Sequence, residues 1–403
     1  MAEHVGKPKV RFAGFTEVWE QRKAIYLGRF SKGSGYSKAD LVPNGIPIIL
    51  YGQLYTNYQF AISEVNTYVL RKKNSILSKG NEVIIPASGE TAEDIARASS
   101  IKKRGIILGG DLNIIEPIPS VNSEFLALSI SNGYPHRILA QKAQGKSVVH
   151  IHNSDIQDVP IAYPSREEQS RIAEFFRHLD RLITLHQRKR GRLENIKKAM
   201  LEKMFPKNGA DVPEVRFAGF TEAWEQRKLG DLAEFNPKAE LPTNFEYVDL
   251  ESVVGTELIN HRTQTKYTAP SRAQRLAQYG DLFYQLVRPY QKNNYLFELN
   301  SENFVFSTGY AQLRPSVDGY FLMSLVQNEY FVQKVLDNCT GTSYPAINVN
   351  DLAEINVYTS LKKSEQARIG IFFRHLDRLI TLHQRKVELL QNIKKACLEA
   401  MFA

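Results

Sequence analysis

Small polar, basic and aromatic side chains gather in glycine-containing loops in two separate stretches of the sequence. They are Ser88, Glu90, Thr91, Lys102, Lys103, Arg104 and Lys146 in the first stretch, and Arg288, Tyr290, Lys292, Tyr310, Thr342 and Tyr344 in the second. Base edges are read by hydrogen-bonding side chains, and phosphates favour a close approach of the backbone. These residues are therefore candidate DNA contacts. The structural alternatives are a solvated loop over 102–104 and core or turn positions for Tyr310 and Tyr344.

Two segments contain partial motifs for nucleotide or methyl-transfer chemistry. Residues 140–147, AQKAQGKS, end like a phosphate-binding loop, but Ala140 replaces the first glycine and the segment is expected to follow a helix rather than a strand. Residues 236–238, Asn-Pro-Lys, lack the second proline and the aromatic ring of the adenine methyltransferase loop Asn-Pro-Pro-aromatic. We expect a turn at 236–238 and no nucleotide site at 140–147.

Metal ligands and nucleophiles are also poorly supported. His150 and His152 lie near Asp155, but two imidazoles without a third and fourth ligand make a poor metal site. Ser88 has no obvious histidine base to activate it. The sequence therefore predicts no catalytic residue, no metal and no cofactor in this chain.

Length and composition limit the class of protein. The chain has 403 residues, of which 43% are hydrophobic and 10% aromatic, enough for two or three globular domains. Residues 1–10 are polar, and no stretch approaches the roughly 18 apolar residues of a membrane span. Two cysteines are too few for a disulfide framework. A protein of the reducing cytoplasm, with no membrane contact, is expected.

The net charge of +9 is unevenly distributed along the chain. Residues 165–205 carry 11 basic and 6 acidic groups, and residues 360–403 carry 9 and 4, so that each segment is +5. Residues 229–359 carry a net charge of −6. A positive total suggests a polyanionic partner, but this distribution excludes a uniformly basic protein that coats DNA. Ordinary solvated helix faces are the structural alternative for the two basic segments, and an acidic partner surface is the rival explanation.

The elements that must position these residues are duplicated. Residues 10–23, VRFAGFTEVWEQRK, recur at 215–228 with one change, and residues 175–189, FFRHLDRLITLHQRK, recur identically at 372–386. The chain is thus two copies of one unit, each with a short motif, a variable stretch and a long conserved tail. The expected segments are a first recognition domain at 1–164, a central helix at 165–205, a linker and second motif at 206–228, a second recognition domain at 229–359 and a C-terminal helix at 360–403.

Both tails show the three-and-four spacing of a helix that buries one seam. The predicted seam residues are Ile172, Phe175, Leu179, Leu182, His186, Leu193 and Ile196, and in the second copy Ile369, Phe372, Leu376, Leu379, His383, Leu390 and Ile393. The histidines interrupt both seams at the same place and could fix the register. Because no single domain needs a helix of about 60 Å, we expect the two tails to form an antiparallel coiled coil.

The two variable stretches align through their turn residues. Gly145, Ser147, Ile151 and Asp155 match Gly341, Ser343, Ile347 and Asp351, which gives a shared pattern G-x-S-x3-I-x3-D. Short β-branched and aromatic runs lie between glycine and proline turns in both stretches, and a helix is expected around 123–142 in the first and around 320–337 in the second. We therefore predict an α+β chain with two mixed α/β recognition domains of one fold, separated by the two long helices in a pseudo-two-fold internal repeat.

A constant scaffold that displays two divergent domains is what a bipartite reader of an asymmetric target requires. Antiparallel helices would relate the two domains by an approximate two-fold axis, and duplex DNA has local two-fold axes of its own. Two readers on one face of the duplex would contact half-sites about one turn, roughly 10 bp, apart. A non-catalytic assembly scaffold with two divergent protein-binding domains is the alternative that the repeat leaves open.

The duplicated motifs VRFAGFTE[VA]WEQRK and FFRHLDRLITLHQRK resemble the specificity subunit of bacterial type I restriction-modification enzymes over essentially the whole chain. Residues 87–99, ASGETAEDIARAS, with Gly109-Gly110-Asp111, look like one class of target-recognition domain. Residues 286–290, 307–311 and 340–345 look like another.

The resemblance implies a sequence-specific, non-catalytic subunit that binds double-stranded DNA. It also implies two modification subunits, which bind S-adenosylmethionine and methylate adenine, and optionally two restriction subunits that use ATP and Mg. The helices would then set the spacer between half-sites and dock the modification subunits.

Overall fold

The computed structural model of this chain describes residues 3–4 by their backbone, and residues 8–145, 148–207 and 209–402. The chain divides into two compact units, which we call the first unit (residues 1–186 and 386–403) and the second unit (residues 187–385). Neither unit is one of the segments expected in chain order, because each long helix contributes to both units.

Ten α-helices are described in these residues, and two are much longer than the rest. They are Gln53–Thr56 (α1), Ala92–Ile95 (α2), Ser123–Ile130 (α3), Gly133–Lys142 (α4), Asn153–Gln157 (α5), Arg166–Lys203 (α6), Gly319–Gln327 (α7), Glu329–Asp337 (α8), Val349–Glu354 (α9) and Lys363–Met401 (α10). The α6 and α10 helices therefore begin and end within three residues of the predicted tails. None of the described helices combines the length and the apolar character needed to cross a bilayer.

The first unit is built on small sheets. Its strands are Glu3–His4 (β1), Glu20–Lys23 (β2), Gly28–Lys32 (β3), Leu41–Val42 (β4), Ile46–Ile49 (β5), Ala61–Ile62 (β6), Tyr68–Val69 (β7), Val83–Pro86 (β8), Ser88–Gly89 (β9), Ser99–Ile101 (β10), Ile107–Leu108 (β11), Leu112–Pro117 (β12), Val149–His150 (β13) and Pro160–Tyr163 (β14). They form sheets in the orders β3-β12-β8-β10-β6, β11-β5-β7-β4, β1-β2-β14 and β13-β9.

The second unit has a corresponding set of strands. They are Glu225–Lys228 (β15), Ala233–Phe235 (β16), Asn244–Val248 (β17), Val253–Val254 (β18), Glu257–Leu258 (β19), Arg262–Thr265 (β20), Ala273–Leu276 (β21), Leu282–Gln285 (β22), Tyr295–Leu296 (β23), Phe304–Ser307 (β24), Tyr310–Pro315 (β25) and Asn356–Thr359 (β26). Their sheet orders are β16-β25-β22-β23, β20-β17-β24-β21, β15-β26 and β18-β19.

The pairing of these strands is the same at the centre of both units. The strand β5 is parallel to β11 and antiparallel to β7, as β17 is parallel to β24 and antiparallel to β20. In the other sheet β12 is antiparallel to β8 with Leu112 opposite Pro86, and β25 is antiparallel to β22 with Tyr310 opposite Gln285. The expectation of a mixed α/β architecture is therefore confirmed.

An aromatic cluster joins each recognition domain to the helices of its unit. In the first unit Phe402, which follows α10, contacts Trp19, Phe125 of α3 and Phe176 of α6, with ring centroids 5.7–6.5 Å apart. In the second unit Phe205, which follows α6, contacts Trp224, Phe321 and Phe373 at 5.7–6.2 Å. The two clusters use matching positions of the repeat, so the recognition domains are held in matching ways.

The predicted helix seams are only partly buried. The buried members are Ile172, Leu179, Ile369 and Leu376; the half-buried ones are Phe175, His186, Leu193, Phe372, His383 and Leu390; the exposed ones are Leu182, Ile196, Leu379 and Ile393. Phe176, Ile183, Phe373 and Val387 are buried instead. A single stripe was the wrong pattern for helices that pack against a recognition domain as well as another helix, because two contacts require a wider apolar face.

Candidate nucleic-acid interface

The strands β8 and β22 are each followed by the same small structure, which we call the display element. In the first unit it consists of β9 and β13, with Val149 opposite Gly89 and His150 opposite Ser88. In the second unit it consists of residues 287–288 and 344–346, with Val287 bridged to Ala346.

Matching backbone hydrogen bonds hold the two display elements. Ile151 N donates to Ala87 O at 3.1 Å, and Ile347 N donates to Leu286 O at 3.1 Å. On the other side, Ala87 N donates to Asp111 O, as Leu286 N donates to Gly309 O, both at 2.9 Å. The turns 109–111 and 307–309 therefore support the display elements at corresponding places.

The shared pattern G-x-S-x3-I-x3-D marks this part of the fold. Gly145 and Gly341 have positive φ values of 142° and 84°, where a side chain would strain the backbone. Asp155 and Asp351 lie in the first turns of α5 and α9. Ser147, like the candidate Lys146, lies outside the described residues.

The first display element pairs a serine with a histidine. Ser88 Oγ lies 3.1 Å from His150 Nδ1, and the Ser88 carbonyl accepts a hydrogen bond from the Tyr55 hydroxyl at 2.5 Å. No histidine near Ser88 was evident in the sequence, so this contact was missed. In the described part of the chain no carboxylate bonds His150, and a nucleophilic serine also needs such an orienting group. The pair is better suited to donating and accepting hydrogen bonds.

The second display element holds an arginine on a tyrosine ring. The Arg288 guanidinium lies 4.3 Å from the Tyr344 ring centroid, and Arg288 N donates to Pro345 O at 2.7 Å. Arg288 has a φ of +54° immediately before Pro289, and Lys292, in the same loop, has a φ of +56°. Left-handed backbone at non-glycine residues costs free energy and concentrates at functional sites.

The remaining candidates of the second domain lie in different environments. Tyr290, Thr342 and Tyr344 are exposed, and Lys292 Nζ forms an ion pair with Glu329 at 2.5 Å. Tyr310 is fully buried on β25, and burial raises the pKa of its hydroxyl well above the usual range. Tyr310 is therefore a core residue rather than a DNA contact, because its alternating position on the strand faces the aromatic core.

The basic run 102–104 of the first domain does not belong with Ser88. It follows β10, which is antiparallel to β8 with Ser100 opposite Val83, so the run lies beyond the start of β8, whereas Ser88 follows its end. Lys102 pairs with the buried Glu124 at 3.1 Å, and Arg104 Nε donates to Lys79 O at 3.0 Å. Lys103 is exposed in the same loop. Lys102, Lys103 and Arg104 therefore lie at the opposite end of the sheet from Ser88.

The other two candidates of the first domain are closer to the display element. Glu90 is exposed directly after β9. Thr91 caps α2, since its Oγ1 accepts a hydrogen bond from Asp94 N at 3.1 Å. Glu90 is thus available to a ligand, whereas Thr91 has a structural role.

Parts of this chain are similar to proteins of known family. The family model for the "Type I restriction modification DNA specificity domain" matches residues 17–195. The specificity subunit of the type I restriction enzyme EcoDI from Escherichia coli is 24% identical over 282 residues, which are 61% of this chain and 61% of that protein. Over residues 17–195 this chain is therefore similar to the type I specificity family. The matched part thus spans about three fifths of the length of the E. coli relative.

Further relatives have the same description. The specificity subunit of the enzyme MjaVIII from Methanocaldococcus jannaschii is 20% identical over 350 residues, which are 81% of this chain and 80% of that protein. A crystal structure of the S subunit of a type I restriction-modification system from M. genitalium has a TM-score of 0.60 at 14% identity and covers 99% of both chains. That likeness shows a shared fold.

The partial motifs for other chemistry have structural explanations. Asn236, which has a φ of +50°, forms a bend directly after β16, and its side chain accepts a hydrogen bond from Gln312 N of β25 at 3.0 Å. The α4 helix extends to Lys142, so the partial phosphate-loop pattern begins inside a helix. Among the described residues no three His, Cys, Asp or Glu side chains are grouped as metal ligands.

Proposed function

We propose that this chain is the non-catalytic DNA-recognition subunit of a type I restriction-modification complex, with each unit reading one half of a bipartite target. The observation that carries the proposal is the pair of display elements. Their backbone hydrogen bonds match, yet the first presents Ser88 with His150 and the second presents Arg288 with Tyr344. A constant frame with different donors and acceptors is suited to reading two different short sequences.

The side chains at these positions match the chemistry of base edges. Arginine donates two hydrogen bonds to the O6 and N7 atoms of guanine, and the small polar hydroxyl of serine can pair with any base. The ring of Tyr344 beneath Arg288 limits the rotation of the guanidinium, so less conformational entropy is lost on binding. We therefore assign Arg288 to a guanine in the second half-site.

The two long helices would set the distance between the half-sites. Lys394 Nζ lies 2.5 Å from Asp180 in the first unit, and Lys197 Nζ lies 2.6 Å from Asp377 in the second. The internal repeat exchanges these two pairs. In the second unit Arg190 of α6 also bonds Gln384 of α10, so that rising numbers on α6 meet falling numbers on α10. Such reciprocal pairs support an antiparallel coiled coil with one register, and hence a fixed spacer between the half-sites.

The helices also carry surfaces suited to two identical partners. Leu182 and Leu185 on α6, and their repeat equivalents Leu379 and Leu382 on α10, are all exposed. Leucines one helical turn apart, identical in both copies and uncovered, are consistent with two copies of one docking partner. We assign this partner to the modification subunits, which would bring S-adenosylmethionine, while ATP and Mg would belong to optional restriction subunits.

Mapping methylated adenines in DNA from cells that carry this chain together with its modification subunits tests the proposal. We expect one asymmetric target made of two short half-sites and an unspecified spacer, and no methylation by the purified chain alone. Methylation without half-sites, or adenine methylation by the chain free of partners, would contradict it. Normal assembly with partners but no DNA preference would favour the scaffold alternative.

A further inference from the structure

One loop in each unit crosses the end of the parallel strand pair, from a strand on one side to a strand on the other. In the first unit it is residues 70–76, between β7 and Leu77, which bridges Ile107 of β11. In the second unit it is residues 266–272, between β20 and β21, which pairs with β24. We call them the crossover loops. They occupy the same place in one fold although their sequences differ.

The first crossover loop exposes a leucine beside two basic side chains. Leu70 is 70% exposed, more than any other leucine in the described part of the chain. Arg71 and Lys73 are exposed, and neither forms an ion pair with a described residue. An isolated exposed leucine is ordinary, but this one lies in a loop that is held firmly.

A tyrosine and a third basic residue anchor this loop. The Tyr36 hydroxyl accepts a hydrogen bond from Lys72 N at 2.7 Å and donates one to Leu70 O at 3.3 Å. Lys72 Nζ pairs with Asp40 at 2.7 Å and donates to Gly35 O at 3.3 Å. The basic residue between Arg71 and Lys73 therefore fixes the loop to the domain, while its neighbours remain available.

The second crossover loop repeats this arrangement with an aromatic residue. Tyr267 is 90% exposed, and Lys266 and Arg272 are exposed without an ion pair among the described residues. The loop is anchored at both ends, because Lys266 N donates to Thr243 O at 2.9 Å and Thr308 N donates to Arg272 O at 2.8 Å. An exposed apolar side chain beside cations that form no ion pair with a described residue thus occurs in the crossover loop of both units.

Both crossover loops border the turn that supports the display element of the same unit. Thr308, which bonds the second loop, lies in the turn 307–309. In the first unit Gly35, which bonds Lys72, is so close to the turn 109–111 that a Cβ on Gly110 would lie 3.3 Å from its Cα. Each crossover loop is therefore next to the turn that supports the display element of its unit.

We propose that the crossover loops are DNA-contact elements, in which Leu70 and Tyr267 pack against bases while Arg71, Lys73, Lys266 and Arg272 contact phosphates. This inference rests on the proposed function and adds a way of binding to it. Apolar side chains inserted at base steps beside basic residues are a known means of holding DNA, and aromatic rings stack on any base.

DNA is a better occupant of these loops than a protein partner. The exposed leucines proposed to dock modification subunits are identical in the two copies, as two identical partners require. The crossover loops instead carry a leucine in one unit and a tyrosine in the other, and they adjoin the surfaces that differ between the units. Their unpaired cations are also complementary to a polyanion.

Titrating the complex of this chain and its modification subunits with duplex target at several salt concentrations tests the proposal. We expect Tyr267→Ala to weaken binding about tenfold or more, Leu70→Ala to weaken it as well, and neither to change the salt dependence. Replacing both Arg71 and Lys73 by alanine should lower the slope of log K against log salt by about 2. Tyr267→Phe keeps the ring and should bind like the wild type.

Two exposed residues elsewhere serve as matched controls. Leu361, 52% exposed, precedes two lysines at the start of α10, and Tyr279, 69% exposed, lies beyond the opposite end of β21 from the second crossover loop. Leu361→Ala and Tyr279→Ala should leave affinity unchanged. A fluorescent base analogue in the target should brighten on binding where a base is unstacked, and should lose that signal with Leu70→Ala.

The outcomes separate this inference from the proposed function. If the wild-type complex methylates its target and the loop variants bind, fluoresce and respond to salt like it, the crossover loops do not contact DNA. If the variants fail to co-purify with modification subunits, the loops are protein-docking sites and the proposal is overturned. If the wild-type complex shows no target at all, the proposed function itself fails.

Discussion

In the first unit Arg11 holds the buried carboxylate of Glu168, and in the second unit Arg216 holds Glu365, with Nε–Oε1 distances of 2.6 Å in both. The residues that these frames display share almost nothing: a serine with a histidine in one unit, and an arginine on a tyrosine in the other. The repeat has thus kept the contacts that hold the domains and changed those that face outward. The residues that hold each domain in its unit are different from those that face outward in its display element, so the two sets can be altered separately.

The largest expected effect comes from exchanging a whole recognition domain. Replacing residues 24–164 by the first domain of another family member should replace the first half-site completely and leave the second unchanged, because the two domains are held by separate frames. Methylome mapping of the hybrid gives the answer. A change in both half-sites would show that the units do not read independently.

A change of helix length should alter the spacer and neither half-site. Four residues inserted beside Gly191 add about 6 Å of helix, and DNA rises 3.4 Å per base pair. The spacer should grow by roughly one to two base pairs, with some loss of affinity, since the stutter rotates one end of the helix. An unchanged spacer at full activity would show that the helices do not set the spacer length. Altered half-sites would mean that the helices read bases.

Removing one aromatic ring should weaken one frame only. Phe402→Ala and Phe205→Ala should each lower the free energy of unfolding by about 3–5 kcal/mol, since each leaves a cavity among three rings. Hydrogen exchange should locate the loss in the first unit for Phe402→Ala and in the second for Phe205→Ala. Leu361→Ala, at an exposed site, provides the control. Equal loosening of both units by either variant would contradict separate frames.

A change in one display element should affect one base pair. Arg288→Ala should reduce discrimination at one position of the second half-site by about 1–3 kcal/mol, measured with single-base variants of the target. Arg104→Ala, at the opposite end of the sheet in the first domain, should change no base preference. If Arg288→Ala leaves the discrimination between bases unaltered, Arg288 does not contact a base.

The smallest effect concerns acid stability. Burial raises the pKa of Glu365, but hydrogen bonds from Arg216 and Ser360 outweigh it and hold the pKa below its ordinary value of 4.5. A lowered pKa stabilises the fold above pH 4.5, and this contribution disappears as the pH falls through the folded-state value. The difference in the free energy of unfolding between the wild type and Glu365→Gln, measured by denaturant unfolding at several pH values, should therefore become smaller below pH 4.5. A difference in the free energy of unfolding that does not change with pH would show that the Arg216–Glu365 pair does not cause this pH dependence.

The sequence was sufficient for the scaffold, because the repeat and the helical spacing extend over many residues. The expected helix 123–142 is interrupted, however: α3 ends at Ile130 and α4 begins at Gly133, which has a φ of +60°. Similarly, α7 ends at Gln327 and α8 begins at Glu329 within the expected helix 320–337.

The site was harder to predict than the scaffold. Ser88 meets His150 through strands of two residues each, 62 positions apart, and such short strands carry no readable periodicity. Periodicity also cannot tell at which end of a sheet a loop lies, so the separation of Lys102 from Ser88 was not predicted. The crossover loops were missed because exposure of Leu70 and Tyr267 depends on tertiary contacts. The shared G-x-S-x3-I-x3-D pattern did mark the display elements.

The position of Phe402 bears on how the chain is synthesised. The second unit is one continuous segment, residues 187–385, whereas the first unit also needs residues 386–402 to complete its aromatic cluster. A growing chain can therefore finish the second unit while the first still lacks a core residue, although domains usually mature in the order of their synthesis. The first unit leaves the ribosome first but receives its final contacts last. Until Phe402 has been synthesised, Trp19 and Phe125 lack that contact and are accessible to chaperones or to incorrect association.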